Sequence, residues 1–544
     1  MSHSLRSLLT AIVVAVTPHT ALGDPSAVNL SEMRATLNQI NAELGDDVKT
    51  PVDVAALWTR LGRGAGVLDQ AKAVTPLAAQ TTPPAVNGSL FGAGRSQDAE
   101  PKDAVTPAPI GLLSPLLGTH VATPLRGVPQ DVGTTNFRLM LASLAQTYTG
   151  KNNTAVVNAQ GARGPVALSI QSGTVTLADI QAYSAAQGMP PLADGTMTMP
   201  VVIWPDATLR LDQGERLALA RDAGAFVLAM GTLIVDRALI EAVGPENQHT
   251  PSFNPFVSVI GGGSLKMTGA ILRDLGFGQT PKFSGLSVAG NLLNQTRGTV
   301  TIRDSLFDNL KGVQIAGMSG AEITGNTFGH LKDAAVTLTM APGSSVAGNL
   351  FYGTARTNAI RVTAGSGHSQ IDRNLFLDGE RVAVLVDGQS DNVRVRDNVV
   401  WRRDGGGIKF SRTQCGLVAG NVILDNRQKG IEVRRSDGTV LRDNLIAGNS
   451  SAGIWVSAQA RQARTALNGN ILNANGAGLS TATSAEILLD NNDFSRQLPK
   501  LLDGDVGRLT HKMVADLRGS VPLRFKDGQA EHVSTDATLC GGAW

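Results

Sequence analysis

Five basic side chains recur at similar positions in successive short apolar phrases of the C-terminal half of the chain. A tryptophan follows them in the same setting, and the set is Arg361, Lys409, Arg412, Arg434, Arg435 and Trp455. A guanidinium group can pair with a carboxylate through two parallel hydrogen bonds, an ammonium group meets it as a point charge, and an indole ring offers an apolar face to a sugar. This combination suits the binding of a long acidic polysaccharide.

A second interpretation of the same residues stays open at this stage. Charged side chains are common at exposed strand positions on surfaces that bind nothing, so these cations could be ordinary solvated residues. Asp387 could likewise be the partner of Lys409 or Arg412 in a surface ion pair of small energetic weight. The net charge of only +2 does not indicate general nucleic-acid binding. No motif points to a metal or a cofactor, and we expect neither.

The elements that carry these side chains form a repeat marked by asparagine. Seven asparagines follow one another in steps of 23, 25, 24, 23, 23 and 26 residues, and they are Asn326, Asn349, Asn374, Asn398, Asn421, Asn444 and Asn470. A period of this length, made of short β-like runs and turns, predicts a right-handed parallel β-helix. Asparagines at one corner of such a stack can hydrogen-bond to one another as a ladder, so their predicted role is structural.

The repeat also predicts which residues face outward. In phrases such as Gly407-Ile-Lys-Phe410, two apolar residues flank one variable residue, and we expect the apolar pair to face the interior. The variable position gives an outward column of Gln314, Thr337, Arg361, Leu385, Lys409, Glu432 and Trp455. The position after the pair gives Thr339, Thr363, Asp387, Ser411, Arg434 and Ser457. Arg412 and Arg435 come one residue later, so the basic residues share one face.

The N-terminal part of the chain differs from the repeat. An apolar run from Leu8 to Val16, followed by Ala21-Leu-Gly23, predicts a signal peptide over residues 1–23 and a periplasmic or secreted protein; an uncleaved anchor is the alternative. The run is too short to span a membrane, and no other span is expected. Residues 24–133 are expected to hold a helical segment, from 28 to 73, and then a linker rich in Pro, Ala and Gly.

The β-helix is predicted to occupy residues 134–497, and residues 498–544 are predicted to form a C-terminal cap. Within the first range we expect a short helix at Phe137–Tyr148, a first β-like phrase at Ala155–Gly161, regular coils from about Met199 and an insertion over residues 276–298. Cys415 and Cys540 could form one disulfide, or Cys415 could be a small buried residue.

The basic phrases resemble a known family. Gly407-Ile-Lys-Phe-Ser-Arg412, Lys429-Gly-Ile-Glu-Val-Arg-Arg435 and Ala452-Gly-Ile-Trp-Val456 look like the later coils of the periplasmic mannuronan C5-epimerases of alginate biosynthesis. Val201–Leu211, Ala223–Leu228 and Asn254–Phe256 resemble the earlier coils of that family, and the similarity spans about residues 195–495. The resemblance implies proton abstraction at C5 of a uronic acid, which converts mannuronate to guluronate.

The chemistry implied by the resemblance needs a neutralised carboxylate and a base beside the carbon. Arg412 matches the family arginine that meets the carboxylate, and Asp387 matches the first residue of the family motif Asp-Pro-His-Asp-Arg. Gln389 stands at or near the place of the motif histidine, and an amide cannot act as a general base. His368, one coil earlier, is a candidate base, although a lone histidine in a turn is more often structural or exposed.

Three functions remain open from the sequence. We rank an exported polyuronate C5-epimerase with a diverged site first, because Arg412 and the long resemblance support it. A polysaccharide lyase shares the proton abstraction and differs in expelling the substituent at C4. A non-catalytic β-helix that binds an acidic exopolysaccharide during secretion is favoured by the missing histidine. The expected partners are an acidic polysaccharide and other exopolysaccharide export proteins.

Overall fold

The computed structural model describes residues 29–45, 48–62, 131–148, 150–189, 195–290, 298–353, 356–534 and 539–540. From Val166 onward the chain winds into coils of up to three short strands, and strands at the same position in successive coils pair in parallel. The three positions build long sheets, named A, B and C in the order in which the chain visits them, with 15, 15 and 13 strands. The predicted right-handed parallel β-helix is confirmed.

The strands of the three sheets have the following bounds. Sheet A comprises Val132–Asn136, Val166–Ile170, Val201–Ile203, Val227–Ala229, Val257–Val259, Gly285–Ala289, Gly312–Ala316, Val336–Thr339, Ile360–Thr363, Val384–Asp387, Ile408–Ser411, Ile431–Arg434, Ala452–Ser457, Ala477–Ala482 and Leu502–Gly504. Sheet B comprises Gly173–Thr176, Ala207–Leu211, Thr232–Asp236, Ser264–Thr268, Val300–Arg303, Glu322–Thr324, Ser345–Ala347, Gln370–Asp372, Arg394–Arg396, Leu417–Ala419, Thr439–Arg442, Arg464–Asn468, Glu486–Asp490, Leu523–Lys526 and Gln529–His532. Sheet C comprises Thr196–Met197, Arg216–Ala220, Leu239–Val243, Ile271–Arg273, Leu306–Asp308, Thr327–Gly329, Leu350–Tyr352, Leu375–Leu377, Val399–Trp401, Val422–Leu424, Leu445–Ala447, Ile471–Asn473 and Asp493–Arg496.

The interior of the β-helix is filled by the inward side chains of all three sheets. It is mainly aliphatic, with one stack of four phenylalanines whose neighbouring ring centroids are 5.0, 4.8 and 4.8 Å apart, formed by Phe307, Phe328, Phe351 and Phe376. The register of sheet A also agrees with the predicted outward column, because each of its seven residues is the Cα partner of the next. The alternation of apolar and variable residues therefore fixes the face on which the basic residues lie.

The predicted asparagine ladder runs along the corner between sheets B and C. Asn398 Nδ2 donates to Asn421 Oδ1 at 2.9 Å, and the backbone amide of Asn398 donates to the same oxygen at 3.0 Å. The same pair of bonds joins every neighbouring member of the set and continues one step further, from Asn470 to Asn492. Each carboxamide thus satisfies a buried backbone donor that the turn would otherwise leave without a partner.

Ladders also run along the other two corners. At the corner between sheets C and A, Asn426, Asn449, Asn475 and Gln497 are linked in the same way. At the corner between sheets A and B, shorter runs use hydroxyl groups: Ser366 with Ser390, and Thr413 with Ser436. The ladder between sheets C and A could have been found in the sequence, because its three asparagines each lie five residues after a member of the predicted ladder.

Two helices precede the β-helix and pack on it. Helix α1 spans Leu30–Leu44 and helix α2 spans Val54–Gly62, within the predicted helical segment. Their apolar side chains share a buried cluster with the outer face of sheet C, and Arg34 forms a bidentate ion pair with Asp425, at 2.8 and 2.6 Å. The outer face of sheet C in these coils is therefore covered. The predicted signal peptide, and residues 63–130 with most of the linker, lie outside the described residues.

Helices also cover the outer face of the first coils of sheet A. Helix α3, Arg138–Thr147, agrees with the predicted helix. The β-like phrase predicted at Ala155–Gly161 is wrong, because helix α4, Asn153–Asn158, occupies most of it and a 3₁₀ turn, Gly161–Arg163, follows. Val156 packs in a cluster with the phenylalanines of these coils. Burial on that cluster outweighs the strand preference of the paired valines.

The limits of the regular coils also differ from the prediction. Parallel pairing begins at Val166–Ile170, which pairs with Val201–Ile203, and so before Met199. Helix α5, Leu177–Ala186, lies within this first coil. The stretch predicted as an insertion contains a 3₁₀ turn, Pro281–Phe283, and then an ordinary sheet A strand in register with its neighbours. The strand pattern could not be recognised in the sequence because glycines and asparagines flank it. Residues 291–297 lie outside the described residues.

At the C-terminal end the last sheet A strand is followed by a 3₁₀ turn, Gly507–Lys512, and a hairpin. The hairpin strand Leu523–Lys526 pairs antiparallel with Glu486–Asp490 on sheet B. Cys415 and Cys540 form a disulfide, which decides between the two alternatives for these residues. Among the described helices, none combines the length and apolar character needed to cross a membrane.

Candidate functional site

An open groove lies on the outer face of sheet A, beyond the coils that α3 and α4 cover. In the outward column Gln314 and Thr337 are buried, and exposure begins at Arg361. The groove has a volume of about 620 Å³ and is bounded by strand residues and by turns on both sides. Its lining is Arg356, Thr357, Asn358, Arg361, Arg381, Val382, Leu385, Asp387, Gly405, Lys409, Ser411, Arg412, Gln428, Glu432, Arg434 and Arg435.

The groove is strongly cationic. Its lining contains seven basic side chains and only two carboxylates, Asp387 and Glu432. Within the part of the chain that the structure describes, five of the seven have no carboxylate partner: Arg356, Arg361, Arg381, Arg434 and Arg435. Because these guanidinium groups converge on one surface without internal neutralisation, the groove has a field that attracts a polyanion.

Arg412 is held in a defined position at the end of its strand. It follows Ile408–Ser411 with φ of 56°, and its side chain reaches back to the coil before it. Its Nε lies 3.0 Å from Asp387 Oδ1 and its Nη2 lies 2.8 Å from Asp387 Oδ2, so the pair is bidentate. Asp387 is fixed in turn by the amide of Gly388, which donates to Oδ1 at 2.6 Å. The Arg412 side chain is 56% exposed, and its Nη1 takes no part in the pair.

Lys409 lies in the groove and forms an ion pair, but its partner is Glu432, whereas Asp387 pairs with Arg412. The Nζ of Lys409 is 2.9 Å from Glu432, one coil further on, and Lys429 approaches the same carboxylate at 3.6 Å. Lys429, which sequence reasoning missed, also lies 4.9 Å from the centre of the Trp455 ring. Trp455 is not among the residues that line the groove. Glu432 therefore neutralises part of the lysine charge, whereas the five guanidinium groups without a carboxylate partner among the described residues keep the groove cationic from Arg361 to Arg435.

The two candidate base positions lie at the corner between sheets A and B. The amide of Gln389 donates to the carbonyl of Arg412 at 3.0 Å, and Gln389 faces a second cavity, of about 750 Å³, that it shares with Arg412, Arg435 and Asp391. His368 lies in the equivalent turn of the preceding coil, is exposed, and lines neither cavity. The structure thus brings Gln389 close to Arg412 and leaves His368 outside the groove.

Two groove cations escaped the sequence analysis. Arg356 and Arg381 lie in the turns between sheets C and A, so the phasing of strands could not assign them a direction. They form the rim of the groove opposite Arg412 and Arg435, which lie at the other end of the sheet A strands. A ligand in the groove therefore meets guanidinium groups on both sides and on the floor.

No metal site emerges from the described residues. In residues 29–540, apart from the gaps given above, no three histidine, cysteine, aspartate or glutamate side chains come together in a way that could hold a metal ion. The chemistry that the groove offers is the recognition and neutralisation of carboxylates by guanidinium groups.

Two family descriptions match parts of the chain. Residues 282–417 match the right handed beta helix region, and residues 379–499 match the periplasmic copper-binding protein NosD. The described residues within the second range contain no cluster of metal-binding side chains. Both matches agree with the coils of the structure.

The chain is also similar to proteins named mannuronan C5-epimerase. That of Pseudomonas putida is 23% identical over 346 residues, and that of Pseudomonas fluorescens is 26% identical over 341 residues. Each alignment covers 58% of this chain, and the chain spans 64% and 63% of the lengths of these relatives. The crystal structure of the periplasmic alginate epimerase AlgG superposes on this chain with a TM-score of 0.59 and 20% identity. The superposition covers 74% of this chain and 99% of the AlgG chain. The predicted resemblance is confirmed, and the superposition shows the same fold.

Proposed function

We propose that this chain binds a polyuronate along the sheet A groove and epimerises its residues at C5, converting mannuronate to guluronate. The observation that carries the proposal is Arg412, held by Asp387 at the end of a strand, in a groove with five guanidinium groups that have no ion partner among the described residues. The relatives named mannuronan C5-epimerase support the same substrate class.

The spacing of the groove suits a chain of acidic sugars. Successive coils are about 4.8 Å apart, as in any β-sheet, which is comparable to the length of one pyranose residue in an extended polymer. A uronate chain lying along the stack can therefore present its carboxylates to guanidinium groups on successive coils. Leu385 and Val382 give the floor and rim an apolar part against which the C–H face of a sugar can rest.

Arg412 is the residue that we propose meets the carboxylate of the reacting sugar. Transfer of the C5 proton to a base spreads negative charge onto that carboxylate, and a positioned guanidinium group lowers the cost of this charge. Because Gln389 is no base and His368 lies outside the groove, a carboxylate of the second cavity, Asp391 or Asp437, would take the proton. The bond to Asp387 fixes the orientation of Arg412, so Asp387 acts as a positioning residue. Arg361, Arg434 and Arg435 would hold the neighbouring sugars, and Lys409 would contribute less because Glu432 already pairs with it.

A second function, polyuronate binding without catalysis, is favoured by one observation. Gln389, at or near the place of the motif histidine, stands beside Arg412, and it cannot accept the C5 proton as a general base does. His368 is outside the groove, which weakens it as a substitute. A lyase would use the same groove and the same proton, and would differ in its unsaturated product.

The similar proteins also support a place of action. The AlgG structure that shares this fold is that of a periplasmic alginate epimerase, and the predicted signal peptide agrees with export. We propose that this chain works in the periplasm or is secreted, where it would meet the polymer and other export proteins.

Binding to polymannuronate, measured by calorimetry at several salt concentrations, tests the proposed ligand. We expect an affinity that falls with salt, and no binding to the same polymer after its carboxyl groups are reduced to alcohols. Arg412→Ala should weaken binding. Arg303→Ala is a matched control, because Arg303 is 53% exposed and pairs with Glu322 on sheet B. Equal binding of the charged and the reduced polymer would refute a polyuronate site.

A further inference from the structure

The ladder at the corner between sheets C and A ends within the coils that carry the groove, at Asn426. In the later coils each ladder residue accepts the backbone amide of its predecessor, as Asn449 Oδ1 does from the amide of Asn426 at 3.2 Å. One coil earlier, Arg403 occupies the ladder position, and its amide donates to Asn426 Oδ1 at 3.0 Å. Its side chain is not an asparagine but a guanidinium group that is almost fully buried, with 2% of the residue exposed.

The buried guanidinium group of Arg403 binds carbonyl groups of the two preceding coils. Nε donates to the carbonyl of Arg381 at 2.9 Å, Nη1 to that of Asp378 at 2.5 Å, and Nη2 to that of Thr357 at 3.4 Å. Gly379 makes room for it: this residue has φ of 114°, and a Cβ there would collide with the guanidinium group. One side chain therefore ties together the C-to-A turns of three successive coils.

A charge in this position has a cost that the fold could have avoided. Burial lowers the pKa of Arg403 to about 10, and the nearby carboxylates of Asp378 and Asp404 offset part of the effect. Asparagine fills the same position in the next three coils without a buried charge. Arginine takes the place of asparagine in the one coil where the side chain binds the two preceding turns. We infer that it serves those turns rather than the stack as a whole.

The turns that Arg403 holds carry the rim of the groove. Thr357 and Arg381 both line it, and so do the neighbouring residues Arg356 and Val382. The turns are also tied to each other, since Asn358 Nδ2 donates to the carbonyl of Val382 at 3.0 Å. The two rim cations, Arg356 and Arg381, thus extend from backbone segments whose position depends on Arg403.

We propose that Arg403 is a positioning residue for the groove: it fixes the two turns from which Arg356 and Arg381 reach a bound polyanion. It does not touch the ligand, and it acts through the carbonyl groups of the rim. That the groove binds a polyanion rests on the proposed function, whereas the role of Arg403 in ordering the rim does not.

Arg403→Asn is the most informative variant, because it supplies the residue that continues the ladder while it removes the guanidinium group. We expect a thermal midpoint within a few degrees of the parent and a dissociation constant for polymannuronate raised about tenfold, since two exposed guanidinium contacts are each worth up to about fivefold. Arg403→Lys keeps the charge but has one nitrogen in place of the three that donate to separate carbonyls. We expect it to weaken binding less than Arg403→Asn does. It serves in place of Arg403→Asn if that variant fails to fold.

A double-mutant cycle identifies the route of the effect. In the variant Arg356→Gln/Arg381→Gln, adding Arg403→Asn should cause no further loss of affinity, because the cations through which Arg403 acts are already absent. Losses that multiply, or an Arg403→Asn variant that binds like the parent, would overturn the proposal. The proposal is supported if Arg403→Asn weakens binding in the parent but causes no further loss in Arg356→Gln/Arg381→Gln.

Hydrogen exchange of the rim amides separates this proposal from the proposed function. Two amides of the rim turn that holds Arg381 are hydrogen-bonded: that of Asp378 donates to the carbonyl of Trp401 at 3.0 Å, and that of Ala383 donates to the carbonyl of Gly406 at 3.2 Å. We expect both to exchange faster in Arg403→Asn than in the parent, while the amides of sheet B in the same coils are unchanged. If the parent binds no polyuronate, the proposed function fails and hydrogen exchange alone decides the role of Arg403. Unchanged rim exchange would then refute it.

Discussion

Replacing Asn421 by alanine should destabilise the β-helix by about 2–4 kcal/mol, from the loss of buried hydrogen bonds and of the space that the carboxamide fills. Its side chain takes part in five hydrogen bonds: Nδ2 donates to Asn444 Oδ1 and to two carbonyl groups, and Oδ1 accepts from the backbone and side-chain nitrogens of Asn398. The residue is fully buried, so water cannot replace these partners.

The size of the loss follows from which groups keep a partner. After Asn421→Ala, the side-chain nitrogen of Asn398 still donates to the carbonyls of Ile371 and Arg396, and Asn444 Oδ1 still accepts the amide of residue 421. The backbone amide of Asn398 has no second acceptor in the described residues. One orphaned buried donor costs about 1–3 kcal/mol, and the space left by the carboxamide adds about 1 kcal/mol.

Denaturant unfolding followed by circular dichroism measures the change, and native-state hydrogen exchange at the amide of Asn398 locates it. Asn468→Ala is the matched control, because Asn468 is an exposed asparagine with a single side-chain bond, to Asp490 at 3.1 Å. We expect the control to change stability by less than about 0.5 kcal/mol. Equal effects of the two variants would show that the ladder does not stabilise the stack.

Three further predictions concern the site and the disulfide. Arg412→Ala should abolish activity or weaken polyuronate binding and leave the unfolding midpoint nearly unchanged, because the side chain is half exposed; an unaltered affinity and rate would remove it from the site. If the missing base limits catalysis, Gln389→His should raise the rate of C5 proton exchange, since a well-placed imidazole raises a rate by about 10²–10⁴-fold. If His368 is the base instead, His368→Ala should abolish the exchange that the parent shows. Exchange that survives His368→Ala and is not raised by Gln389→His would contradict both assignments. Cys415→Ser should lower the free energy of unfolding by about 2–4 kcal/mol, and a parent protein whose stability is insensitive to reductant would contradict this.

The sequence predicted the sheets and the groove face because both depend on short-range alternation. Once Asn398 and Asn421 set the period, the outward position of Arg361 followed from the two apolar residues that flank its place in the strand. The pairing of Lys409 with Glu432 could not be deduced in the same way. Both residues were placed correctly in one column, but whether two neighbours pair or face a ligand depends on side-chain conformation.

The parts that the sequence did not predict depend on contacts between distant segments. The valines at 156 and 157 favour a strand locally, yet burial of Val156 against phenylalanines distant in the sequence makes the segment helical. Arg356 and Arg381 lie in turns, where no periodic pattern assigns a direction. Arg403 looks like one more surface arginine in the sequence, and only the approach of two preceding coils shows that it is buried.

Deuterium incorporation at C5 of polymannuronate in D₂O, followed by NMR together with the absorbance of unsaturated chain ends, tests the proposed function most directly. We expect the parent protein to exchange the C5 proton, to form guluronate and to produce no unsaturated ends, and we expect no exchange with Arg412→Ala. Unsaturated ends would identify a lyase. Tight binding of the polymer with no exchange would contradict epimerisation and establish the groove as a binding site only.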